Sequence, residues 1–537
     1  MKCFPFVTVL LASALLVAAC NPSSTPAVVL PPTAAPSTGV VATPAAPPTQ
    51  IQTQSGALQG AIEQEIVAFK GIPYAAPPVG DLRWRAPQPA AAWQDVRPAT
   101  AYGSACPQPV SQEIAGAGDI GTKSEDCLYM NIWTPRPDPA TKLPVIVWIH
   151  GGAFRIGAAG VVGYSGVPLA TRGAVMVSFN YRMGQLGFFA HPALAAENPG
   201  GPANFGLLDQ IAALTWVQQN IAQFGGDPGN VTIFGQSAGG KSVLALFASP
   251  LAEGLFHKGI VQSSYVIPDA TLAKALDLGG QVATSVGLNG AEASAAELRA
   301  IPAEAFVELP AKLFTSPVVI AGDSVLPRSI ENVFAAGEEA ALPLIVGNTS
   351  NDASIALAFG VEPADLLKRL GAANIVVRAL YPGVGDERKR ALQATRDVVW
   401  TMPARWIADR HAKLAPTWRY YFDYTAVNSR ENLPDGVPHG ADISYFMGTG
   451  DLSPSLKDIF TDEDRQFSRL ASEYWFEFAR TGTPTASTGP EWPPDDGQQD
   501  KTMYFGEMTA VRTNFMKARL DVMIGLVKII DRVVVSK

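Results

Sequence analysis

Residues 234–242, FGQSAGGKS, satisfy two chemical patterns at once. Gly235-x-Ser237-x-Gly239 is the frame of a nucleophile elbow, a strand-to-helix turn that exposes a serine for attack on an acyl group. Gly235-x4-Gly240-Lys241-Ser242 is a complete P-loop, whose backbone N–H groups and lysine cradle nucleotide phosphates. Both need a strand before and a helix after, and VTIF (231–234) with AGGKSVLALFA (238–248) serves either. The choice depends on the other residues each chemistry requires.

A serine hydroxyl is a weak nucleophile at neutral pH and needs an adjacent base, together with donors aimed at the developing oxyanion. Upstream, LPVIVWIHGGAFRIG (143–157) reads as a buried strand, Val145–Ile149, running into His150-Gly151-Gly152-Ala153. Glycines just beyond a strand present bare N–H groups, so Gly151, Gly152 and the N–H of Ala238 are the expected oxyanion donors. With five histidines in the chain, the base follows by elimination. His150 and His191 precede the serine, His257 reads as packed between helix and strand, and His411 reads as an exposed helix position. His439, in the Gly/Pro-punctuated loop LPDGVPHGADISYFMG, has no packing pattern to account for it and is the expected base. The acid should follow a strand between them, and Asp352 does so after Leu342–Val346 in LPLIVGNTSNDASIAL. Its alternative use is as a helix N-cap, and Asp323 in SPVVIAGDSVLP is its rival. VVIAGD is also the one passable Walker B imitation, which leaves the nucleotide reading with a single good motif. The residues favour a serine hydrolase.

The elements that must position these groups follow in order: strand, oxyanion loop, strand, elbow, helix, strand, acid, late histidine loop. That order is the one an α/β-hydrolase demands, with a large, mostly parallel sheet flanked by helices in one domain. The ends add a compartment. MKCFPFVTVLLASALLVAAC (1–20) has a lysine, an apolar run and small residues, the layout of a secretory signal. Val17-Ala18-Ala19-Cys20 resembles a bacterial lipoprotein lipobox, which implies lipidation at Cys20 and a membrane anchor. Residues 21–50 hold eight prolines and no charge, the composition of a disordered tether. Residues 51–537 then form the hydrolase domain of an exported, envelope-bound protein. Export also removes the fuel of an NTPase. A net charge of −8 without a basic block argues against nucleic acid. Histidines lacking ligand spacing and the absence of C-x-x-C argue against a metal. The chemistry needs no cofactor, and its partner is a small-molecule ester, not a nucleotide.

With these residues placed, the chain resembles the type B carboxylesterase and cholinesterase-like family across nearly all of 51–537. FGGDPGNVTIFGQSAGG (224–240) is similar to the family's serine signature and EDCLYMNIWTP (125–135) to its second. FKGIPYAAPPVGDLRWRAPQP, NYRMGQLGFF and FARTGTP resemble further family blocks. The resemblance implies an α/β-hydrolase fold, a triad on Ser237, Asp352 and His439, a disulfide between Cys106 and Cys127, and structural ion pairs Arg83–Glu125 and Arg182–Asp209. Three departures stand out. Gln236 replaces a frequent glutamate, Asp352-Ala353 replaces the usual glutamate-glycine, and the 106–127 loop carries no aromatic residue on which choline could rest. Two alternatives belong to the same fold: a non-catalytic adhesion protein, and an amide, carbamate or lactone hydrolase with the same triad.

Overall fold

The run Val145–Ile149 is apolar at every position because both faces of its strand are covered. Val145, Val147 and Ile149 enter one core cluster, and Ile146 and Trp148 enter another. This is the pattern of a central parallel strand, where side chains alternate between two buried faces. In a computed structural model of the chain, the described residues are 47–525 apart from 110–112, 115–117, 266–268, 311, 312, 314–318, 359, 361, 370–373, 497 and 498. The leader, Cys20 and nearly all of the expected tether lie outside the described residues.

Eleven strands form the main sheet: β1 (Ala61–Glu63), β2 (Ile66–Pro73), β3 (Tyr129–Thr134), β4 (Leu143–Ile149), β5 (Val175–Phe179), β6 (Gly226–Gln236), β7 (Lys258–Gln262), β8 (Leu344–Thr349), β9 (Thr417–Phe422), β10 (Lys501–Phe505) and β11 (Ala510–Thr513). Their order across the sheet is β11-β10-β9-β8-β7-β6-β4-β5-β3-β2-β1. Every pairing from β5 through β10 is parallel, and those at the two edges are antiparallel. The chain moves from β4 outward to β5 and then returns to place β6 on the other side of β4. That reversal opens a crevice at the carboxyl ends of β4 and β6, the position where open α/β sheets bind ligands.

Helices close both faces. On one lie α1 (Phe205–Asn220), α2 (Ala238–Ala248) and α4 (Met402–His411), which bury Leu214, Val217, Val243, Phe247 and Ile407 in the first cluster. The short α3 (Ser354–Ala358) and α5 (Ile443–Met447) lie between strands in sequence, and α6 (Asp462–Thr481) covers the opposite face. α6 starts where Thr461 and Asp464 form a reciprocal capping box and ends at Gly482, with φ of 84°. Its buried Phe467, Ala471, Tyr474, Trp475 and Phe478 recur at helical spacing and enter the second cluster. Each phenylalanine among them, fully buried, would contribute about 1.5–3 kcal/mol.

The Cys106–Cys127 disulfide is formed. Arg83 grips Glu125 at 2.6 and 2.7 Å, and Arg182 grips Asp209 at 2.7 and 2.8 Å. Both are two-pronged contacts away from the crevice, as structural pairs should be. The sequence expectation for His411 is wrong. It is fully buried, with Nδ1 3.0 Å from Glu339 and Nε2 2.7 Å from the Leu342 carbonyl oxygen, because the segment before β8 folds over its helix face. No described helix is long and apolar enough to cross a membrane.

Candidate active site

β6 runs directly into α2 with a single residue at the corner. Ser237 adopts φ 57° and ψ −119°, a left-handed conformation that a side chain tolerates only when the surroundings force it. The forcing groups are its flanking glycines. A Cβ at Gly235 would approach the Gly239 carbonyl carbon to 2.4 Å, and one at Gly239 would approach the Ile149 oxygen to 2.0 Å. Glycine at both positions lets α2 press against the ends of β4 and β6, and the serine is thrust outward. Its N–H donates to the Gln262 carbonyl at 2.8 Å, fixing the corner to β7.

Beyond β4 the loop turns at Gly152, with φ 106°, where a Cβ would meet the Ile156 oxygen at 1.9 Å. Gly151 is close enough to the serine that its own Cβ would lie 3.2 Å from that of Ser237. Among the described residues, the N–H groups of Gly151, Gly152 and Ala238 have no hydrogen-bond acceptor. Three N–H groups without an acceptor thus gather beside Ser237. His150 is buried and stacked on Tyr181 at 4.5 Å. Burial pushes its imidazole down to about 4, so it is uncharged at neutral pH and shapes the loop without titrating there.

The residues expected as acid and base, Asp352 and His439, come from neighbouring strand ends. Asp352 follows β8, is fully buried, and accepts from the Thr349 N–H at 2.9 Å and from His439 Nδ1 at 2.7 Å. The two loops are fastened beside that contact: Asn351 N–H donates to the Val437 carbonyl, Val437 N–H to Ser350 Oγ, and His439 N–H to Ser354 Oγ. These three bonds and the Asp352 contact leave the imidazole little freedom. The rival Asp323 instead accepts five N–H bonds from Ala203, Asn204, Val325 and Leu326, a latch that leaves nothing for a histidine.

Ser237 and His439 line one cavity of about 420 Å³ together with Gly151 and Gly152. The hydroxyl and the imidazole are not hydrogen-bonded to each other. His439 Nε2 is engaged by the Gln236 side-chain nitrogen at 3.1 Å. One contact and one residue here escaped the sequence reading. One is this contact of Gln236. The other is Asp442, which opens α5 and is fully buried, accepting from Gln262 and Tyr420 at 3.2 and 3.1 Å. Burial first, and the nearby Asp352 charge second, push its carboxyl up to about 7. The signal for it was an acid three positions after the histidine, in HGAD.

Comparison with known proteins assigns the chain to a family. The carboxylesterase family model matches residues 47–377 and 383–523. The chain is 36% identical over 464 residues to the para-nitrobenzyl esterase of Bacillus subtilis (strain 168), covering 82% of this chain and 92% of that one. It is 35% identical over 479 residues to the fumonisin B1 esterase of Sphingopyxis macrogoltabida, covering 84% and 86%. A solved PNB esterase structure superposes with a TM-score of 0.74 at 32% identity, over 88% of this chain and 99% of that one. With an α/β-hydrolase sheet, free amides at a strained serine and relatives matched nearly end to end, this chain belongs to the carboxylesterase family and is a carboxylic ester hydrolase.

Proposed function

We propose that Ser237, His439 and Asp352 act as nucleophile, general base and orienting acid on uncharged esters. The observation that carries this reading is the 2.7 Å contact between Asp352 Oδ1 and His439 Nδ1 on the wall of the cavity that also holds Ser237. A carboxylate only accepts, so Nδ1 bears the proton and Nε2 carries the lone pair that can take another. As Ser237 Oγ bonds to the ester carbon, its proton passes to Nε2 and the carbonyl oxygen becomes the oxyanion. The N–H groups of Gly151, Gly152 and Ala238 stabilise it, each contributing about 3 kcal/mol. The tetrahedral carbon then expels the alcohol, which leaves with the proton from Nε2. Water enters, gives a proton to the same nitrogen and adds to the acyl carbon. Collapse releases the carboxylic acid and returns the proton to Ser237.

The cavity walls support an uncharged substrate. Ile156, Tyr164, Ile355, Leu433, Ile443 and Leu456 contribute apolar surface, and no Asp, Glu, Lys or Arg is among its described lining residues. An ionised acyl or alcohol group would lose its hydration there without a partner. Ser237→Ala should abolish p-nitrophenyl ester hydrolysis and fluorophosphonate labelling while leaving the far-ultraviolet circular dichroism unchanged; turnover retained by the variant overturns the assignment. Neutral esters should be cleaved in preference to choline or hemisuccinate esters of equal chain length.

The leader, the Cys20 motif and the proline-rich segment support a further reading: the enzyme is exported and held by a lipid anchor in the cell envelope. Fractionation tests this, since the anchored form partitions with membranes and a soluble cytoplasmic form would overturn it.

A further inference from the structure

The nitrogen of His439 that must receive the serine proton already has a partner. Nδ1 donates to Asp352, so Nε2 is a bare acceptor, and the Gln236 side-chain nitrogen 3.1 Å away is its donor. The carboxamide occupies a slot that two glycines leave open. A Cβ at Gly151 would come within 3.0 Å of Gln236 Oε1, and one at Gly440 within 3.4 Å of Gln236 Nε2. Gln236 is 5% exposed and wedged between the Gly151–Gly152 loop and the histidine loop, both of which line the cavity.

We propose that Gln236 is a positioning residue that caps the general base in the resting enzyme and serves it in both protonation states. The proposal rests on the assignment of Ser237 and His439 given above. Before attack, the carboxamide N–H donates to Nε2 and holds the imidazole in its Nδ1–H tautomer, in line with Asp352. The Ser237 hydroxyl displaces that donor from the single Nε2 lone pair as it attacks, and its proton passes to Nε2, which can no longer accept. A half-turn of the carboxamide then presents Oε1 as an acceptor to the new N–H until the leaving alcohol takes the proton. Glutamine has a donor and an acceptor on one planar group, whereas a carboxylate at this position would favour the charged imidazole alone. This is a chemical consequence of the glutamine at position 236.

The titratable groups that face the imidazole are Asp352 from the turn after β8 and Asp442 from the start of α5, with Tyr420 of β9 bonded to Asp442. All three are unchanged in the variants that test the proposal. Gln236→Glu places a carboxylate against Nε2 with almost no change of volume. The acid limb of its kcat/KM profile for a p-nitrophenyl ester should move to higher pH by about one unit or more, a tenfold loss at any fixed pH on that limb. A limb at the wild-type position overturns the proposal. The second arm needs no turnover. In the Ser237→Ala background, 15N-histidine labelling resolves five rings at most, and Gln236→Met should shift the His439 Nε2 resonance by removing its donor. An unchanged resonance also overturns the proposal. Turnover by Ser237→Ala alone would instead retire the triad assignment, so the two failures are distinguishable.

Discussion

The carboxyl of Asp442 offers a stability test whose size follows from its surroundings. One oxygen accepts from Gln262 and Tyr420, and the other has no partner among the described residues. Burial and the neighbouring Asp352 charge raise the carboxyl from 3.8 to about 7 in the folded protein. An acid raised on folding gives up its proton more readily when the chain is unfolded. Its contribution is therefore fully present below 3.8 and is lost as pH climbs through about 7. At about 1.36 kcal/mol per pH unit, and allowing for partial ionisation of the folded group near the top of the window, the loss between pH 5 and pH 7 is about 2 kcal/mol. Asp442→Asn keeps an acceptor oxygen for Gln262 and Tyr420 and removes the titration. About 455 described residues at about 2.1 cal/mol/K each make about 1 kcal/mol correspond to about 1 °C in Tm. Scanning calorimetry of both proteins in matched buffers should show the wild-type Tm falling by about 2 °C relative to the variant between pH 5 and pH 7. A constant offset across that range would refute the account of Asp442 as a buried neutral acid.

Two further outcomes follow from the same geometry. Asp352→Asn can still accept the Thr349 N–H but no longer holds the imidazole as a carboxylate does, so kcat should fall by about 10³–10⁴ with the fold intact; a loss under tenfold, measured by steady-state ester hydrolysis, would remove Asp352 from the mechanism. Replacing Cys106 and Cys127 together by alanine opens a link between residues 21 apart in sequence, which the chain-entropy model values at about 3 kcal/mol. On the scale above, Tm should drop by about 3 °C, read by tryptophan fluorescence, while kcat is retained because neither cysteine lines the cavity.

What was legible in the sequence were features whose chemistry is local. The elbow is legible because Gly235 and Gly239 are dictated by atoms within one turn of Ser237. The meeting of His439 with Asp352 is legible because the Gly/Pro-rich loop sequence offers a lone imidazole no packing pattern. The strand carrying Asp352 was placed at Leu342–Val346, whereas β8 spans Leu344–Thr349. Its later end is set by pairing with β9 as far as Phe422, which residues seventy positions away decide. His411 failed for the same reason. Its own helix has charged neighbours, but Glu339 and the Leu342 carbonyl, which bury it, come from the approach to β8. Asp442 and the Gln236 contact were illegible because both depend on how closely the histidine loop approaches the elbow.

The P-loop pattern at 235–242 fails on the same physical ground that the elbow succeeds. A phosphate cradle needs its glycine amides and its lysine turned outward to a ligand. Here the space beside Gly240 is closed by the Gln262 carbonyl, 2.9 Å from where a Cβ would stand. Lys241 forms a buried ion pair with Asp269 at 2.8 Å, and Asp269 in turn accepts the Ile330 N–H at 2.7 Å. Ser242 is fully buried and receives the Gln210 amide at 2.9 Å. All three residues therefore face the packing beneath the turn, holding α2 to α1, to β7 and to the segment after it. Among the pattern's residues it is Ser237 that bears the left-handed backbone and faces the cavity. A strained, outward-facing hydroxyl over well-anchored neighbours is what acyl transfer requires of this turn and what phosphate binding has no use for.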